Sequence, residues 1–393
     1  MRITLQGARI TDAFTDLASG SVVIEDGRIL SVGGEAEVSG AVIDAAGMII
    51  MPGFIDIHTH GGGGYSLHTT QPDEILRYCR WAAGTGVTGF LIGVVGVNGG
   101  MPLAQLNAAT QAIQAHTTGA QPLGIHLEGP YISPLRRGAH PTSWLRTPSA
   151  EDTEQILAAA NGALRLVAMA PELQHAEDMI RLLTEANVTV SIGHSDATYK
   201  QTMEAITHGV SHMTHCFNAM RPLHHREPGP LGAIMCAPQV FGEIIGDGVH
   251  VHPVMVDMMI RLLKPSRAVI ITDAQAGAGL GDSAEFEFAG QVAHNGGGVA
   301  LLSDGTLAGS ILTMDQALRN ILAMSQLTLS EAVGMLTWNP AQSVKAQKKG
   351  LLQPGFDADL AIFDASMTLQ ATICRGTAAY TTNQWRERAS IFG

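Results

Sequence analysis

Charge is scarce in this chain: Asp, Glu, Lys and Arg make up 15% of its 393 residues. Basic residues are the rarer kind, 23 against 35 acidic ones, for a net charge of −12. No block of like charge and no basic cluster occurs, which excludes the footprint of a nucleic-acid binder. Cysteine is nearly absent too. Cys79, Cys216, Cys236 and Cys374 are scattered, with no C-x-x-C spacing, so they predict reduced thiols and no disulfide framework. No apolar run reaches the length of about 18 residues that a membrane span needs. The opening MRITLQGARITDAF carries no apolar signal-peptide core. Together these predict a cytoplasmic protein with no membrane and no nucleic-acid partner. What the chain has in plenty is apolar material, 46% of residues, enough for a large buried core.

That material is patterned in two ways. Residues 1–50 look all-β: segments 2–10 and 21–32 are rich in Val, Ile and Leu, and a further strand falls at 41–50. Asp26-Gly27, between SVVIE and RILSV, is a two-residue hairpin signal. From Phe54 onward, short apolar runs alternate with helical stretches. The runs are 54–60, 88–95, 122–129, 164–171, 188–194, 210–218, 241–250 and 268–274. The helical stretches include 73–84, 103–115, 151–160, 175–186, 199–208 and 253–263, with two more at 311–324 and 329–343. Such alternation implies a parallel sheet, and eight repeats suit a (β/α)8 barrel. After Gly350 the chain returns to β character at 357–365 and 369–382. The expected architecture is α/β: a TIM-like barrel over 51–344, and a small β-sandwich domain assembled from 1–50 and 345–393.

Candidate chemistry collects at the ends of these runs. His58 and His60 are two apart in FIDIHTH, so alternation puts them on one face at a strand's C-terminal end. Glu128, His194, His215 and Asp273 close or nearly close the third, fifth, sixth and eighth runs. In a closed barrel those ends meet at one mouth. Carboxylates there are costly to bury unpaired, and a cation removes that cost. Imidazoles with carboxylates suit Zn²⁺ or a similar first-row metal better than Ca²⁺. Taken singly, each is more often a hydrogen-bonded structural residue; their coincidence at strand ends carries the metal reading. His140 and His250 lie in or near the same loops, where orienting a substrate and sitting as surface histidines are both open readings. Arg136, Arg137 and Arg226 occupy loops after barrel strands that can hold phosphate, although one of Arg136 and Arg137 reads better as a solvated charge.

Motifs in order along nearly the whole chain resemble the amidohydrolase superfamily and, within it, the deacetylases of N-acetylated sugar phosphates. They are PGFIDIHTH, HLEGPYIS, GAH (138–140), GHSDAT, THCFNAM, REPG, DGVHV, ITDA, GTLAGS and the late PGFDADLAIFD. The resemblance implies Glu128, His194 and His215 as metal ligands, Asp273 as general base and acid, and His140 as the group polarising the acetamide carbonyl. It implies Asn218, Ala219 (by backbone), Arg226 and His250 around the sugar phosphate, with Arg226 reaching in from the partner subunit of a homodimer. Arg136 or Arg137 falls where basic residues also occur. Some members replace the H-x-H histidines with Gln and Asn and keep one metal. His58 and His60 mark this chain as able to hold two, bridged by Glu128. The implied cofactor is one or two divalent metals per subunit, zinc first, iron or manganese next.

The implied reaction is hydrolysis of N-acetylglucosamine 6-phosphate to glucosamine 6-phosphate and acetate. Two other readings are another amidohydrolase, acting on a different N-acyl amine or a cyclic amide, and a non-catalytic paralogue. The second is disfavoured because every ligand and the acid/base are present.

Overall fold

The chain begins with paired strands because its first fifty residues alternate apolar and polar side chains around tight turns. The computed structural model describes residues 2–33 and 40–389. The parts of the expected terminal segments at 1, 34–39 and 390–393 lie outside the described residues. Five strands come first: β1 (Arg2–Thr11), β2 (Asp16–Glu25), β3 (Arg28–Val32), β4 (Ala41–Asp44) and β5 (Met48–Pro52). The β2–β3 turn is Asp26-Gly27, both residues with positive φ (47° and 77°), as a primed hairpin turn demands.

The eight barrel strands are β6 (Phe54–Asp56), β9 (Val87–Val95), β10 (Gln121–Glu128), β11 (Leu164–Met169), β12 (Thr189–Ile192), β13 (His212–Met213), β14 (Phe241–Ile245) and β15 (Ala268–Ile271). Between the first two, β7 (Gly61–Gly62) and β8 (Tyr65–Ser66) make a small hairpin. All eight pair in parallel in the order β15-β14-β13-β12-β11-β10-β9-β6. The seam between β6 and β15 closes just beyond their ends. There the Asp273 N–H donates to the His58 carbonyl (2.8 Å) and the His60 N–H donates to the Ala274 carbonyl (2.8 Å). Closure of the (β/α)8 ring therefore brings together residues 215 positions apart in sequence, and does so at the C-terminal mouth where such barrels hold their sites.

Helices cover the outside, and the core between helices and strands is apolar. A smaller cluster including Ile55, Leu91, Leu166 and Ile271 packs separately from it. The helix expected over 329–343 is two, Leu329–Leu336 and Trp338–Ser343, broken at Thr337, three residues before Pro340. A helix at Gly229–Cys236 was not expected. Its Pro- and Gly-rich opening masks it in a propensity reading.

After β15 the chain inserts an antiparallel sheet that the sequence reading passed over: β16 (Glu285–Phe288), β17 (Gln291–Gly296), β18 (Val299–Leu302) and β19 (Leu307–Ser310). Phe288, Ala293, Leu302 and Ala308 pack with Ala139 and against Trp144, so this sheet covers part of the barrel mouth. The chain then returns to the first sheet with β20 (Leu360–Asp364), β21 (Leu369–Cys374) and β22 (Thr377–Thr381). β20 pairs antiparallel with β5, so the two chain ends share one hydrogen-bonded sheet. Its core is Leu5, Ile10, Ile24, Ile50, Leu360 and Ile373 with their neighbours. Lys349 ties this sheet to the barrel: its ammonium donates to Asp359 (2.6 Å) and to Gln121 at the start of β10 (2.8 Å).

Candidate metal centre and active site

Four of the predicted histidines converge on one carboxylate. Glu128, the last residue of β10, sets Oε1 3.1 Å from His194 Nε2 and 3.1 Å from His215 Nε2. Those two ring nitrogens are themselves 3.1 Å apart. Glu128 Oε2 is 3.1 Å from His60 Nε2, and Oε1 is 3.5 Å from His58 Nε2. Asp273 Oδ1 lies 3.5 Å from both His58 Nε2 and His60 Nε2. Two groups with metal-ligating spacing result, Glu128–His194–His215 and His58–His60–Asp273.

Tautomers test whether these groups fit a cation. His194 Nδ1 donates to the Arg136 carbonyl (2.8 Å) and His58 Nδ1 to the Glu243 carboxylate (2.8 Å). A neutral ring that donates from Nδ1 keeps a bare lone pair on Nε2. Bare nitrogens then face carboxylate oxygens inside a buried pocket. His58 Nε2 and both His60 ring nitrogens have no hydrogen-bond partner there. Lone pairs aimed at lone pairs repel; a divalent cation between them turns that into coordination. The residues fit a metal.

The electrostatics agree. Burial lowers the His58 pKa, yet Glu243, Glu128 and Asp273 raise it well above the usual imidazole range. The potential at that ring therefore favours positive charge. Burial pushes Glu128 up, but His58 and the hydrogen bonds from His140, His194 and His215 hold it well below the usual carboxylate range. His140 is lowered, chiefly by burial, so its ring stays neutral.

The backbone around the site is strained. His194, His215, Phe217, Ala219 and Asp273 all have φ between 25° and 77°, the left-handed region that non-glycine residues avoid. Strands β12, β13 and β15 each end two residues before the first of these bends, which swing the side chains into the mouth. The runs read from sequence extended through the bends because His and Asp there look like strand ends. Gly61 to Gly64 form the first strand and turn of the β7–β8 hairpin, packed so closely on the Trp81 ring that a Cβ at Gly62 would lie 2.1 Å from it.

A cavity of about 290 Å³ opens over the cluster. Glu128, His140, Asn218, Ala219, His250 and Asp273 line it, and the inserted sheet contributes Phe288 and Thr306 to Gly309. His250 is set by Asp247, which accepts its Nδ1–H at 2.6 Å. Burial lowers its pKa, and Asp247 more than reverses that, leaving it raised. His250 is thereby inclined toward the positive charge that suits an anion. Arg136 and Arg226 are not among the cavity residues. The Arg136 guanidinium pairs with Asp196 (2.8 Å), and only its carbonyl serves the site, through His194. Arg226 is exposed and donates to the His225 ring (2.8 Å). A second cavity, about 590 Å³, adjoins the first and shares His60, Gln275 and Phe288 with it. A third of about 510 Å³, between the terminal sheet and the loop before β10, carries no imidazole cluster.

Sequence reasoning missed Glu243, His212, His126 and Asp247. Glu243 had a usable signal: a lone carboxylate inside the apolar run FGEII must find buried donors.

The site and barrel match a known family. The chain belongs to the amidohydrolase family, whose pattern covers residues 49–384. It is similar to the N-acetylglucosamine-6-phosphate deacetylase of Bacillus subtilis (strain 168), 35% identical over 375 residues, 94% of each chain. It is equally similar to the N-acetylgalactosamine-6-phosphate deacetylase of Escherichia coli O157:H7, 35% identical over 361 residues, 91% of this chain and 93% of that one. Among solved structures it resembles a mutant N-acetyl-D-glucosamine-6-phosphate deacetylase from Mycobacterium smegmatis in complex with N-acetyl-D-glucosamine-6-phosphate. The TM-score is 0.91 and the identity 33%, over 97% of this chain and 100% of that one. An amidohydrolase with these two donor groups implies a divalent metal. Among the described residues no helix is long and apolar enough to cross a membrane.

Proposed function

We infer that this chain hydrolyses the acetamide of N-acetylglucosamine 6-phosphate, releasing glucosamine 6-phosphate and acetate. One observation carries the chemistry: Asp273 faces the Glu128–His194–His215 triangle across a cavity that also presents a raised-pKa His250. The relatives named above supply the substrate class. We assign Glu128, His194 and His215 to one ion, and His58 and His60, with Glu128 between, to a second. Zinc is the proposed ion; iron and manganese accept the same donors. When bound, the metal supplies Lewis acidity that polarises the acyl group and acidifies water.

The protein's own groups do the rest. Asp273 accepts the proton of the attacking water and returns it to the departing nitrogen, so one carboxylate serves both halves of the reaction. His140, neutral and buried, donates N–H to the acyl oxygen as negative charge develops there. His250, Asn218 and the Ala219 backbone grip the phosphate end, which does not react, and so fix the acetamide against Asp273. The cavity residues of one chain include no guanidinium. This supports a homodimer in which the exposed Arg226 completes the partner's phosphate site.

The test is metal analysis of purified protein combined with acetate release. N-acetylglucosamine 6-phosphate should be turned over and unphosphorylated N-acetylglucosamine should not. Equal rates on both would overturn the phosphate reading. Faster release from N-acetylgalactosamine 6-phosphate would move the assignment to that epimer.

A further inference from the structure

Behind the ligand clusters, and outside the cavity lining, lies a carboxylate that the proposed reaction does not use. Glu243 sits on β14 with no exposed surface. Its Oε2 accepts the His58 Nδ1–H at 2.8 Å and the His215 backbone N–H at 3.1 Å. Its Oε1 accepts from His212 Nε2 at 3.0 Å. Its own carbonyl accepts the Cys216 N–H at 2.9 Å. His58 and His215 belong to different ligand groups. One side chain therefore touches a member of each: the ring of one, and the backbone of the other at a strained φ of 25°.

The contact with His58 is decisive because, among the described residues, it is the one hydrogen bond that ring makes. His58 Nε2 has no hydrogen-bond partner, and the neighbouring His126 meets it only edge to face, with ring centroids 4.4 Å apart. An imidazole with one nitrogen donating to a fixed carboxylate must offer the other as a lone pair. Such partners fix tautomer and ring angle in metal sites, and losing them typically costs about 10–100-fold in metal affinity.

We propose that Glu243 is a positioning residue that holds His58 with Nδ1 protonated and Nε2 bare toward Glu128 and Asp273, making the His58–His60 group competent for the second metal. By anchoring the His215 backbone with the same oxygen, it sets the spacing between the two groups. The role rests on the two-metal assignment made above.

The competing account is that Glu243 only neutralises charge in the barrel interior. Two variants separate these. Glu243→Gln keeps a carbonyl oxygen for His58 Nδ1–H and the His215 N–H. Its NH2 then faces His212, whose unpartnered Nδ1 leaves that ring free to change tautomer. Glu243→Met keeps the volume and removes every acceptor. Chelator-treated protein is titrated with zinc, measuring stoichiometry and both affinities. Wild type should bind two ions. Glu243→Met should lose up to about 100-fold at the second site, and at least about tenfold more than Glu243→Gln, which stays within about tenfold of wild type. In a His58→Ala background, Glu243→Gln should leave the remaining ion's affinity unchanged. Equal losses in the Gln and Met variants, or no loss in either, would overturn the positioning role while the two-metal reading stands. A wild type that binds one ion, unaffected by His58→Ala, would overturn both. Should Glu243→Met fail to fold, the zinc-loaded wild type still decides the question by nitrogen-15 NMR of its histidines. His58 must show its proton on Nδ1, and a proton on Nε2 sinks the proposal.

Discussion

A single residue's surroundings fix what it can do here, and Asp273 and His68 show opposite cases. Asp273 belongs to the His58–His60 group and lines the cavity with Glu128, His194 and His215, so replacing its basic oxygen without changing its shape should remove proton transfer and leave the Glu128 group intact. Asp273→Asn should lower kcat by about 10²–10⁴-fold while the protein still binds zinc at the Glu128 group, read by parallel kinetics and metal analysis. Turnover surviving that change would refute its role as base and acid. His68 is instead tuned to stay neutral. Burial, helped by His60 and His140, lowers its pKa from 6.5 to about 4, and its Nδ1 accepts the Val95 N–H at 3.2 Å. A depressed histidine binds its proton more readily in the unfolded chain. Between the two values the unfolded state therefore takes up protons that the fold does not, and stability falls as pH drops from 6.5 toward 4. Above 6.5 neither state is protonated there and the effect vanishes. His68→Asn keeps an acceptor for Val95 without a titrating ring. Its melting temperature should fall less than that of wild type between those pH values, and parallel curves would show that His68 does not contribute.

At the scale of elements, the inserted sheet after β15 places function on a segment whose sequence gave little warning. Its last strand bonds back to the catalytic bend: the Ser310 N–H donates to the Asp273 carbonyl at 2.8 Å. Gly309 makes that approach possible. Its φ is 81°, and a Cβ there would lie 2.7 Å from the Asp273 carbonyl and 2.6 Å from Gln275 Nε2. Gly309→Ala must push the Asp273 bend aside. The expected result is a fall of about 10–100-fold in kcat together with a stability loss of roughly 1 kcal/mol or more, measured by kinetics and denaturant unfolding on one preparation. Unchanged kcat would mean the sheet is only a cover. The barrel strands were legible in the sequence because they are short apolar runs set between helical stretches, most helices because they are long and periodic, and the ligands because they end apolar runs. The insert was not, because strands such as QVAHNG mix polar and small residues without a clear period. Glu243 and Asp247 escaped for another reason. Glu243 acts through His58, 185 residues away, which it meets only once the ring is closed, and Asp247 acts through His250 three residues on, within one loop that carries no apolar run to mark it.

For the whole molecule, the outstanding question is whether one chain makes a complete site. His250, its pKa raised by Asp247 against the effect of burial, is the one positively inclined side chain named in the cavity, while a sugar phosphate carries close to two negative charges. Arg226 stands exposed in the segment between β13 and the helix Gly229–Cys236, outside its own chain's cavity, its guanidinium donating to the neighbouring His225 ring. A two-fold dimer that exchanges this arginine supplies the missing guanidinium to both sites at once, since an isologous interface uses each contact twice. The arrangement predicts complementation. Arg226→Ala should raise KM for the phosphorylated substrate strongly, and Asp273→Asn should remove turnover. In a heterodimer of the two, the site that keeps Asp273 receives its arginine from the other subunit and is intact. Unfolding and refolding an equal mixture should restore about a quarter of wild-type activity at low substrate, from the half of dimers that are mixed and the one good site in each. Mixing that restores nothing, with dimers confirmed by sedimentation, would show that each chain completes its own phosphate site.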